Sequence, residues 1–61
     1  MTNEELLATA EVALVTAGRM GKDFTDLKRA IHGLNYCIDA GVKESIDFAR
    51  AVLLTEIEEL K

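Results

Sequence analysis

Apolar positions recur at three- and four-residue spacing in three blocks, and no stretch alternates with period two over a useful length, so the pattern is helical throughout. In the first block Leu6, Leu7, Ala10, Ala13, Leu14, Ala17 and Met20 fall on one broad face, with Val12 and Val15 off it. Thr2 followed three residues later by Glu5 matches the capping box, in which a hydroxyl and a carboxylate satisfy backbone N–H groups that the first turn leaves without partners. Gly18 and Gly21 both offer an end to this helix. Gly21 is preferred, because Arg19 then supports the C-terminal dipole.

In the second block Asp23 is the expected cap, Asp26 places negative charge in the first turn, and Phe24, Leu27, Ile31, Leu34 and Ile38 form the core stripe. A strip of small residues, Ala30, Gly33, Cys37 and Ala40, runs beside that stripe. Glycine inside a helix costs about 1 kcal/mol relative to alanine, so Gly33 suggests the close approach of another backbone, the alternative being neutral drift at a tolerated surface site. Gly41 is the natural left-handed terminator, with Val42 packing back on the preceding turn. The competing expectation fuses the second and third blocks into one long helix, since no proline intervenes.

The third helix is expected from Lys43 or Ser45 onward. Ile46, Ala49, Leu53, Ile57 and Leu60 form its core stripe, while Phe48 and Val52 sit well round the cylinder and Leu54 flanks the other side. One helix with two apolar faces on so short a chain predicts a partner. The fold class that follows is all-α: a small three-helix bundle or helical hairpin, one domain over residues 1–61, oligomerising through the C-terminal helix.

Length sharpens that expectation. A chain of 61 residues buries only about 60% of its extended-chain surface and lies near the limit of independent stability. One cysteine, Cys37, allows no internal disulfide, and one histidine, His32, leaves too few soft ligands for structural zinc. Self-association is the remaining route, and Phe48, Val52 and Leu54 are the residues expected to carry it.

The net charge of −4 argues against a nucleic-acid or anionic-membrane binder. An acidic N-terminal stretch without a secretory layout, and the lack of a long uncharged apolar run, give a cytoplasmic expectation. The charge is uneven: residues 1–18 carry three acids and no base, 19–36 four bases and two acids, 37–61 six acids and three bases.

Gly18-Arg19-Met20-Gly21-Lys22 looks faintly like a phosphate loop, but the spacing is wrong, no strand precedes it and Asp23 would repel an anion; it reads as an interhelical turn. Lys28, Arg29, His32 and Tyr36, extended by Thr25 and Asp39, share the polar face of the second helix and are the candidate contact for a target. His32 and Cys37 lie on nearly opposite sides and cannot form a catalytic pair or share a metal. Cys37 is expected to be a small buried hydrophobe. Glu56, Glu58 and Glu59 are either solubilising or docking charges for a basic partner.

The chain is therefore expected to be a small oligomeric regulator or inhibitor that binds itself and another protein, without cofactor, metal or catalytic residues. The alternative is an oligomer that sequesters a small anionic ligand such as a nucleotide. An enzyme is the least supported reading.

Overall fold

The computed structural model describes residues 1–60 of the chain. Three helices follow one another: α1 (Asn3–Arg19), α2 (Thr25–Ala40) and α3 (Lys43–Glu59). The Thr2–Glu5 capping box is formed in both directions, with Glu5 N–H donating to Thr2 Oγ1 at 3.1 Å and Thr2 N–H donating to Glu5 Oε1 at 2.9 Å. The Thr2 backbone N–H, and after it the Thr2 side chain, favour the ionised carboxylate and hold Glu5 below the usual glutamate value.

The two interhelical turns use glycine differently. At the end of α1, Gly21 has φ +70°, its N–H donates to Gly18 O, and the Lys22 N–H reaches back to Ala17 O; this pair of bonds is a Schellman motif. At the end of α2, Gly41 has φ +73° and its N–H donates to Cys37 O and Ile38 O, the simpler left-handed closure. The reversal at Gly41 separates α2 from α3, so the continuous-helix alternative is excluded. Val42 is 51% exposed and opens α3 in an extended conformation.

The α2 entrance also differs from expectation. Phe24, not Asp23, occupies the N-cap position and makes no side-chain cap bond. Asp23 acts one residue earlier, its Oδ1 accepting the Thr25 N–H at 3.0 Å, which lowers its pKa. Phe24 thereby leaves the core stripe: it is 38% exposed, and its ring edge lies near Gly18.

Leu6, Ala10, Leu27, Ala30, Ile31, Leu34, Leu53 and Ile57 make one core, with Leu7, Ala13, Leu14, Ile38, Ile46, Ala49 and Leu60 packed at its edge. The periodic stripes of all three helices thus converge as their spacing dictates. Met20 is the exception on α1; as the C-cap of that helix it is 63% exposed, past the last turn that faces the core. Two polar clamps tie the ends. Arg50 of α3 donates from Nη1 to Asn3 Oδ1 at 2.6 Å and from Nη2 to Met1 O, and Lys22 Nζ donates to Leu60 O at 2.9 Å.

Candidate functional site

The principal concavity runs between α2 and α3 on the side away from α1's core contact. From α2 it is lined by Asp26, Arg29, Ala30, Gly33 and Cys37, and from α3 by Glu44, Ser45, Phe48, Ala49, Val52 and Glu56. Its volume is about 670 Å³, and it is an open groove, not an enclosed chamber. A volume of this order suits a ligand or a row of side chains from another chain.

Helical spacing explains the lining. Ala30, Gly33 and Cys37, at steps of three and four, present the low side of α2 to the groove, and Phe48, Val52 and Glu56, at steps of four, form a ridge along α3. Ala30 is buried and Ala49 and Cys37 are partly buried, so the floor is apolar and shallow. Phe48 is 63% and Val52 39% exposed: the ridge is apolar and uncovered.

Gly33 corrects an expectation. No backbone approaches it within this chain; a Cβ built there meets nothing within 4 Å, its φ is not positive, and the residue is exposed. At Gly33 the small-residue strip leaves space open, while its first member, Ala30, packs in the core. Ala40, at the end of the strip, is exposed and outside the groove. Cys37 is half-buried at the groove wall and not fully enclosed.

The rim is charged. Among the described residues three carboxylates, Asp26, Glu44 and Glu56, share the rim with one guanidinium, Arg29, a net of −2 from three negative charges and one positive. Asp26 at the start of α2 and Glu56 near the end of α3 meet at one end, because the two helices run antiparallel. Glu56 is partly buried, and desolvation, then Glu59, then Asp26 raise its pKa above the ordinary glutamate value. Glu44 stands at the other end beside Ser45.

The structure separates the residues that sequence reasoning grouped. Of the self-association set, Phe48 and Val52 share the groove, whereas Leu54, 43% exposed, does not line it. Of the polar set on α2, Lys28, Arg29, His32 and Tyr36 are all exposed, Tyr36 to 77%, but Arg29 alone reaches the groove. The Gly18–Lys22 segment is a closed turn with Lys22 engaged on Leu60 O. A smaller cleft of about 250 Å³ lies between α1 and the end of α3, edged by Val12, Met20, Lys22 and Leu60 among others. That cleft accounts for two of the uncovered apolar residues of α1. Among the described residues, no three His, Cys, Asp or Glu side chains gather where a metal ion could be held, and no helix is long and apolar enough to cross a membrane.

Comparison of the chain with protein-family models, with curated proteins and with solved structures gives no match.

Proposed function

We propose that the chain is a small helical regulator that acts by binding another protein, and that it takes up a helix of its partner in the groove between α2 and α3. The observation that carries this reading is the coincidence of an uncovered apolar ridge, Phe48 and Val52, with an open strip of small residues across from it at Gly33. Ridges of one helix pack into such depressions on another, and an amphipathic helix laid in an apolar groove is a recurrent mode of recognition. A second copy of the chain is the second reading. It is favoured by the same exposed ridge and by the marginal stability of so short a chain, and it makes Phe48 and Val52 a self-association surface, with Leu54 contributing from the opposite flank.

Capture of a small anionic ligand has less support, since among the described residues Arg29 is the only cation lining the groove, alongside three carboxylates. The outer face of α2 offers Lys28, His32 and the exposed Tyr36 on a convex surface, without an enclosing wall.

Copurification from a native lysate, followed by mass spectrometry, separates these surfaces. A stoichiometric partner retained by the parent chain should be lost with Phe48→Glu, which puts a charge in a desolvated contact at a penalty of several kcal/mol. The double substitution Lys28→Glu with Tyr36→Ala should keep it. The reverse result, retention by Phe48→Glu and loss in the α2 double variant, would move the function to the outer face of α2.

A further inference from the structure

We infer that the occupant of the α2–α3 groove is a basic amphipathic helix of another protein, with cationic residues about three turns apart that meet the two acidic ends of the groove. This rests on the helix-binding reading above and adds the chemistry of the partner.

The acids are placed for such a ligand. Glu56 and Asp26 stand at one end and Glu44 at the other, with the apolar ridge of Phe48 and Val52 between them. Glu44 and Glu56 are separated by twelve residues of α3, about 18 Å along the axis at about 1.5 Å per residue. A helix lying along the groove therefore fills its middle with apolar side chains and brings a lysine or arginine to each end. Among the described residues Arg29 alone does not neutralise the rim, and at the Asp26 end Glu56 stands partly buried beside Asp26, with desolvation, then Glu59, then Asp26 raising its pKa, so positive charge is favoured there.

A second copy of this chain fits the same groove poorly. If α3 packs against its symmetry mate with the axis between Phe48 and Val52, an antiparallel arrangement sets Glu44 of each copy against Glu56 of the other. A parallel arrangement sets each acid against itself. Both oppose like charges at the rim, and each copy brings a net charge of −4. The shape admits a helix; the charge selects a basic one.

Gly33 supplies an independent handle. Its place in the middle of α2 has no cause inside the free chain, where it is exposed with open space and helical backbone. Close seating of a partner helix gives that space a use.

The test is a display library of helical peptides with apolar residues on one face and Lys, Glu or Gln varied at the flanking positions, selected on the intact chain and counter-selected on Phe48→Glu. Phe48 is already exposed, so that variant should keep the fold, and circular dichroism checks it. We expect enriched peptides to carry Lys at two positions about eleven to twelve residues apart. A selected peptide should bind Glu44→Gln with Glu56→Gln at least fivefold more weakly than the parent. It should bind Gly33→Leu at least tenfold more weakly, while Gly33→Leu keeps or raises the melting temperature. Enrichment of neutral or acidic peptides that still depends on Phe48 overturns the basic partner and leaves helix binding standing. The absence of any Phe48-dependent enrichment overturns both. If instead the chain is a dimer that Phe48→Glu splits and no peptide is enriched, the occupant is a second copy and the inference is wrong.

Discussion

Thr2 and Glu5 do at the start of α1 what no apolar residue can: they satisfy backbone donors in the first turn and bring a carboxylate to the positive end of the helix dipole. The lowered pKa of Glu5 has its cause in the Thr2 backbone and side-chain bonds, and that of Asp23 in the Thr25 N–H. A carboxylate whose folded pKa lies below its unfolded value contributes stability that is present above the unfolded pKa. That contribution is lost as pH falls through the folded one. Thr2→Ala should therefore lower stability by about 1 kcal/mol near neutrality, a typical cap value. The difference between Thr2→Ala and the parent should shrink as pH drops below the ordinary glutamate range, when the parent also loses its charged acceptor. Urea unfolding at a series of pH values measures this, and a gap between the two chains that stays constant into acid would refute the assignment.

At the scale of the element, the core stripes were legible in the sequence because burial imposes the helical period. Leu6, Leu27, Leu34 and Leu53 are buried where the spacing put them. The failures fall at helix ends. Met20 and Phe24 satisfy the period on a continued cylinder, yet the Schellman turn at Gly21 interrupts that cylinder and turns both residues outward. Gly41 illustrates the opposite case, since a left-handed φ is the conformation that glycine adopts without penalty, and the separation of α2 from α3 follows from it. The contact between elements also includes a feature no spacing rule announces: Arg50 crosses from α3 to the start of α1, bonding Asn3 Oδ1 and Met1 O. Arg50→Ala should destabilise the fold by about 1 to 2 kcal/mol, as expected for a charged hydrogen-bond donor. It should also speed hydrogen exchange in the first turns of α1 more than in α2. Uniform acceleration across all three helices would mean that Arg50 supports the whole core and does not pin one end.

The whole molecule measures 35 × 18 × 16 Å and exposes 4273 Å², against roughly 3,900 Å² for a compact monomer of its mass. The difference is in keeping with a surface that carries an open groove. Each wall of that groove could be read from the sequence, the small strip of α2 and the second apolar face of α3. Their meeting could not: whether those flanks face one another depends on which side of the α2–α3 pair receives α1, and hydrophobic spacing is the same for either hand of the bundle.

The two proposed occupants of the groove predict opposite salt dependence. Pairing of two copies through Phe48 and Val52 would oppose Glu44 and Glu56, which line the groove, whereas the proposed basic helix would be drawn by them. The screening length falls from more than 10 Å near 0.05 M to about 4 Å near 0.5 M salt, which weakens repulsion and attraction alike while leaving apolar burial in place. Any self-association of the chain alone through this face, followed by sedimentation at micromolar concentration, should therefore grow with salt and be abolished by Phe48→Glu. Binding of a Lys-bearing helical peptide should weaken over the same range. A dimer that is already complete at low salt and indifferent to Phe48→Glu would place the contact elsewhere on the molecule, with the exposed Val12, Val15 and Met20 of α1 as the next surface to test.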